Sequence, residues 1–309
     1  MELSLLLAQK ILELFLIVLI GYIIVSRKIL KSEDGRVLSL ISLYVVTPCT
    51  IFNAFQIDFT PDKLMGLILS FVAAAISVFI FYIITKIIKK PLGLLSIEQA
   101  TLIYSNAGNL IIPLVNSLLG AEWVLYTSGY IIVQTILLWT HCFSLVSGET
   151  KINWKKIITN INVISIFIGI VLFISRIKLP SIMQGSISSI GAMIGPLSML
   201  VIGMSLGNMN LKSVFLDKRT YLISALRLVV YPVVMIVIFN MIGLKNFHPQ
   251  AQQILLITTL AASAPAASTI TQFAQIYTKH PGYASIMNVM TVIFCIITMP
   301  LMIYFYQLF

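Results

Sequence analysis

The sequence predicts an all-α membrane protein: ten transmembrane helices in a 5+5 inverted repeat, with helices 4 and 9 broken and crossing. Three observations predict it. Of the 309 residues, 59% are hydrophobic and only 10% charged, with a mean hydropathy of +1.02, whereas soluble domains carry about 25% charged residues. The apolar residues gather into ten runs, each near the roughly 20 residues a helix needs to span a bilayer. Prolines and small polar residues interrupt those runs at matching places in the two halves. A water-soluble chain of this size lacks the core volume to hide so much apolar surface, so lipid is the solvent.

The runs lie near residues 3–26, 36–56, 65–88, 97–119, 122–146, 158–176, 183–208, 219–243, 251–276 and 283–307. Loops are short, and no soluble domain interrupts them. The longest hydrophilic break separates a first half, 1–147, from a second, 158–309, through a short cytoplasmic linker, 148–157. Five spans per half is an odd number, so the halves must have opposite topology. Pro48 and Pro196 fall in the second span of each half, Pro113 and Pro265 in the fourth, at nearly the same offset. Paired interruptions of this kind point to the binding site of a transporter.

The net charge of +10 does not indicate nucleic acid. The basic residues sit in short loop clusters rather than in a stripe interleaved with aromatics. Fourteen of the 20 Lys and Arg fall in one set of alternate loops, from Arg27 through Lys89 and Lys155 to Lys279. The other set holds only Lys63, Arg176, Lys178 and Lys245. Positive loops stay in the cytoplasm, which predicts a multi-pass protein of the cell membrane with both termini outside. Cys49, Cys142 and Cys295 lie far apart within apolar runs and read as small hydrophobes rather than metal ligands or a disulfide framework. The first run precedes its basic residues, unlike a cleavable signal.

The fourth span reads Tyr104-Ser-Asn-Ala-Gly-Asn-Leu-Ile-Ile-Pro113. Pro113 removes a backbone donor and Gly108 weakens the same turn. Backbone groups freed at bilayer depth are tolerated only beside protein or a wet cavity. Ser105, Asn106 and Asn109 therefore either line a solute site or bond neighbouring helices as packing contacts. The ninth span, Leu260 to Thr271, is a run of small residues interrupted by Pro265. If both spans break, they can cross, and their half-helix N-termini would present positive dipole ends to an anionic solute. The alternative is tight packing, with Ser263, Ser268 and Thr269 bonded back to their own helix.

Three segments carry a resemblance: Tyr44 to Phe52 (YVVTPCTIF), Ser105 to Leu114 (SNAGNLIIPL) and Ala264 to Tyr277 (APAASTITQFAQIY). They resemble spans of the auxin efflux carrier family, which includes plant auxin exporters and bacterial permeases for malate or malonate. The likeness extends over essentially the whole chain in span number, loop brevity and proline placement. Asn106, seven residues before Pro113, matches the asparagine of the family's first crossing. Pro265 matches the proline of the second, and Gln134 is similar to the glutamine of the family's fifth helix. The resemblance implies a scaffold domain, a crossover transport domain with substrate at the crossing, elevator-like movement and a homodimer. This chain has Ser105 where plant members carry a proline, and a central loop of about ten residues where theirs is long. Both departures argue against carrying auxin itself over as the substrate.

Charged residues inside spans are functional candidates by default. Arg227 can attract a carboxylate, snorkel to the cytoplasmic boundary, or cap carbonyls freed by Pro232. Glu13 shares a helix face with Lys10, with which it can pair. His141, the one histidine within a span, suits a proton relay or a neutral structural bond. Glu13 and His141 are thus the candidates for proton or sodium coupling. The dicarboxylate site typical of sodium/proton antiporters is missing.

No Walker loop, HExxH, GxSxG or acidic metal cluster occurs, so neither enzyme, metal nor cofactor is expected. The expectation is a transporter of small organic anions, mono- or dicarboxylates such as malate or auxin-like acids. It acts by secondary active or facilitative alternating access. An anion channel or membrane sensor on the same scaffold is the alternative.

Overall fold

Long apolar helices, joined by short loops, make up nearly all of the chain. The computed structural model describes residues 2–149, 154–207, 215–277 and 280–308, and the described residues form helices without strands. In chain order the principal helices are α1 (Glu2–Ser26), α2 (Ser32–Phe55), α3 (Pro61–Leu92), α4 (Ser96–Ile103), α5 (Ile112–Leu118) and α6 (Ala121–Ser147). The second half adds α7 (Ile161–Ile174), α8 (Ser181–Leu206), α9 (Lys218–Met241), α10 (Ala251–Ala262), α11 (Ser268–Ile276) and α12 (Pro281–Gln307). Among the described residues six helices, α2, α3, α6, α8, α9 and α12, are long and apolar enough to cross a membrane. Residues 12–26 of α1, together with α7 and α10, are shorter apolar helices.

Three prolines leave the same mark on the backbone. Wide turns at Ser42–Val46, Ala107–Ile111 and Leu226–Val230 each end two residues before a proline, at Pro48, Pro113 and Pro232. A proline within a helix offers no N–H to the carbonyl four residues back, and its ring presses on that carbonyl. Widening the preceding turn relieves the clash without ending the helix. A fourth wide turn, Leu138–Cys142, has no proline after it and contains His141.

The chain forms two compact units. The first comprises Met1–Leu67, Gly108–Ser128 and Ile158–Asn210. Within it α1 lies along α8 at a distance only glycine permits. A Cβ on Gly203 would strike the Val18 carbonyl oxygen and come within 2.8 Å of the Tyr22 nitrogen, and Gly21 faces the Leu200 carbonyl in the same way. Small residues that let backbones approach are how helices gain contact where lipid supplies no hydrophobic drive. The end of α2 packs on α7 and α8, with Phe55 edge-on to Phe173 at 6.3 Å and Thr50 Oγ1 donating to Gly191 O at 3.0 Å. At the adjacent loops Lys178 Nζ lies 3.1 Å from Asp58 Oδ1. That hydrogen-bonded ammonium holds the exposed Asp58 carboxyl below the usual carboxylate range.

The second unit comprises Ile68–Ala107, Gly129–Ile157 and Leu211–Phe309. Here α12 is the central helix, in contact with α4, α9, α10 and α11. Phe81 of α3 meets Tyr231 of α9 edge-on at 5.1 Å, and the Tyr231 hydroxyl lies 2.8 Å from Thr85 Oγ1. Cys142 and Cys295 are buried free thiols, and Cys49, in the first unit, is partly exposed.

Candidate functional site

Helix α4 stops at Ile103, and Tyr104 turns extended at φ −106°, ψ 130°. Ser105 and Asn106 follow, residue types whose short polar side chains compete with helical hydrogen bonding. In the second half α10 stops at Ala262, three residues before Pro265. The residue preceding a proline avoids the helical region, and Ala267 is still extended at φ −64°, ψ 126° before α11 begins. Both segments therefore expose backbone groups that a bilayer interior cannot hydrate.

The second unit satisfies those groups by pairing the two breaks. Residues 104–106 and 265–267 form one short antiparallel bridge, Ser105 opposite Ala266. The Asn106 amide donates to Pro265 O at 2.8 Å, and the Ala267 amide to Tyr104 O at 3.1 Å. Groups pointing away from the bridge find side chains. Ser105 N and Oγ donate to Gln134 Oε1 at 3.2 and 2.8 Å, and Gln134 Nε2 donates back to Ser105 O. The Ala266 amide donates to Thr291 Oγ1 at 3.1 Å. The Tyr104 hydroxyl meets His141 Nδ1 at 2.7 Å, and the same imidazole stands edge-on to Tyr82.

Against this frame one side chain differs. The Asn106 amide head is partly exposed and meets no hydrogen-bond partner among the described residues, although its backbone is pinned. Ser268 and Thr269, also partly exposed, open α11, whose first turn has no side-chain cap. Among the described residues neither hydroxyl bonds back to its own helix.

The remaining candidates lie elsewhere or play other parts. Ser263 is buried, with its hydroxyl unpartnered. Pro113 is buried in the first unit, near Gly195, and the side chain of Asn109 lies outside the described ones. Glu13 is exposed on α1; the Lys10 side chain, and hence their pairing, also lies outside the described residues. Arg227 does not snorkel: it is 0% exposed inside the second unit, with its guanidinium 5.4 Å from the Phe81 ring centroid.

Two features escape a sequence reading. Thr291, an isolated threonine in an apolar helix, gives no local signal of its bond to Ala266. Glu98 belongs to a residue type rarely buried without a partner, and it is 0% exposed. It accepts from Arg219 Nε and Nη2, from the Tyr283 hydroxyl at 2.7 Å and from the Leu95 amide at 2.7 Å. Those bonds tie α4 to α9 and α12. The hint was a glutamate three residues into a helix, where a carboxylate reaches back to cap the first turn.

No curated protein matches the chain. It does match the family described as "Membrane transport protein", over residues 6–153 and 148–303. With nearly the full length matched, and with several helices apolar enough to span a bilayer, the chain belongs to this auxin efflux carrier-like family of multi-pass membrane transporters.

Proposed function

We propose that this transporter moves small organic anions, mono- or dicarboxylates, by binding them where the polypeptide is interrupted at Ser105–Asn106 and Pro265–Thr269. The observation that carries this reading is the contrast at Asn106: a backbone fixed by Pro265 and a partly exposed side chain with no hydrogen-bond partner among the described residues. An asparagine on a fixed backbone, its side-chain donor and acceptor both unengaged, is what a solute site requires. The uncapped first turn of α11 adds N–H groups at the positive end of a helix dipole, which favours a carboxylate without a formal cation.

The architecture we infer is ten spans in two inverted halves. Six long helices, the shorter apolar α1, α7 and α10, and the interrupted stretch from α4 to α5 are consistent with that count. The two stretches matched by the family divide at the same hydrophilic linker. The two compact units correspond to the scaffold and the moving body of an elevator, since each takes helices from both halves. The test is a thermal-shift panel of carboxylates, amines and sugars on purified protein, because a ligand of the native state raises apparent stability. Selective stabilisation by carboxylates is expected; selective stabilisation by amines overturns the anion reading.

A further inference from the structure

His141 lies in a distortion that proline does not explain. The wide turn Leu138–Cys142 of α6 has no proline after it, and unforced turns of this kind occur mostly at functional sites. The imidazole there is partly exposed, and its Nδ1 meets the hydroxyl of the buried Tyr104 at 2.7 Å. That hydroxyl has no other hydrogen-bond partner among the described residues. The phenol proton is therefore satisfied only when Nδ1 accepts it, which is the neutral imidazole with its hydrogen on Nε2.

The surroundings leave the ring free to change charge. From α3, Tyr82 stands edge-on to it at 5.2 Å, Lys86 Nζ lies 5.9 Å from the Tyr82 ring centroid, and Lys89 adds a positive potential. From α4 comes Tyr104, while the carboxylate of that helix, Glu98, is engaged by Arg219 and Tyr283. The buried Cys142 adjoins it on α6, and α11 brings Tyr277 against Phe143. No carboxylate pairs with the imidazole among the described residues. Lys86 and Lys89 are exposed, and lysines keep their ammonium heads in water. The aqueous boundary thus lies about one helical turn from Tyr82, within reach of a proton.

Protonation turns Nδ1 from acceptor to donor. Tyr104 must then accept, and its own buried proton is left unmatched, which is costly. The Tyr104 carbonyl is the one that accepts the Ala267 amide at 3.1 Å. A charge on His141 is therefore felt, within a single residue, at one end of the paired breaks. We propose that His141 is a proton-binding site of this transporter, read by the paired breaks through the Tyr104 hydroxyl, and that the neutral ring favours the pairing. Its consequence for transport rests on the solute reading above: a solute held at the breaks binds more tightly when His141 is neutral, and by linkage its binding expels the proton.

The chain has three histidines, His141, His248 and His280, so imidazole carbon NMR of the purified full-length protein follows each one across a pH titration. His141 should titrate between about pH 5 and 8. Tyr104→Phe, which removes only the hydroxyl, should displace the His141 midpoint and leave the other two in place. Equilibrium binding of malate should be about fivefold weaker at pH 6 than at pH 8 in the wild type, and equal at the two pH values in His141→Gln. Should that variant fail to fold, Tyr104→Phe should flatten the same ratio. A His141 resonance that does not titrate overturns the proposal, as does a midpoint indifferent to Tyr104→Phe. Malate bound equally at both pH values, or more tightly at pH 6, overturns it too. Absence of malate binding at any pH, with the His141 midpoint still displaced by Tyr104→Phe, supports the proton site and counts against malate as the solute.

Discussion

Gln134 and Ser105 satisfy each other across 29 residues of sequence: one side-chain amide accepts the Ser105 amide and hydroxyl protons and donates to the Ser105 carbonyl. Gln134 therefore acts as a third strand beside a bridge only one residue pair long. Gln134→Leu leaves a buried N–H and C=O unmet and should cost about 1–3 kcal/mol. Ser105→Ala, which spares both backbone bonds, should cost only about 1 kcal/mol. Equal losses in detergent melts would mean that the glutamine does not serve the backbone.

Glu98 and Arg219 make an asymmetric pair, since Glu98 is 0% exposed and the Arg219 side chain 39%. Removing the arginine strands a buried carboxylate, whereas removing the carboxylate frees a cation that reaches water. Arg219→Ala should therefore destabilise by about 3–5 kcal/mol, and Glu98→Ala by less. Comparing the two variants' denaturation midpoints tests the order, and a larger loss for Glu98→Ala would reverse the argument.

Gly203 sits where α8 touches the α1 backbone. Gly203→Val forces the helices apart and should destabilise by about 1–3 kcal/mol. Gly185 on the same helix has open space around a Cβ, so Gly185→Val should be better tolerated in the same melt. Similar losses at both positions would indicate a helix-propensity effect instead.

Asp58 gives the pH dependence that follows from an exposed ion pair. Its folded value is depressed by Lys178, so its contribution is present above the unfolded value and lost as pH falls through the folded one. The small stability gap between wild type and Asp58→Asn should hold from neutrality to about pH 5 and close below about pH 4. Added salt should shrink it. A gap that widens on acidification would contradict the sign.

How much of this was legible in the sequence depends on the range of each interaction. Pro113 and Pro265 announce interrupted helices because proline acts on its own turn. The wide turns before Pro48, Pro113 and Pro232 are equally local, although proline alone does not say whether a helix ends or widens. The pairing of Ser105 with Ala266 joins residues far apart in the chain, and periodicity carries no register between them. Gln134 was reached only through family resemblance, since a lone glutamine on an apolar helix has no pattern of its own. Arg227 stands out as an intramembrane charge; that it is buried rather than snorkelling depends on helices contributed by both halves.

The most direct test of the account is transport by Asn106→Ala. The side chain has no hydrogen-bond partner among the described residues, so the variant should insert, melt within about 0.5 kcal/mol of wild type and keep its backbone bond to Pro265. Reconstituted into proteoliposomes, it should lose uptake of the carboxylate that stabilises the wild-type protein most. Uptake at the wild-type rate, in a variant of unchanged stability, would contradict the assignment of the solute to Asn106.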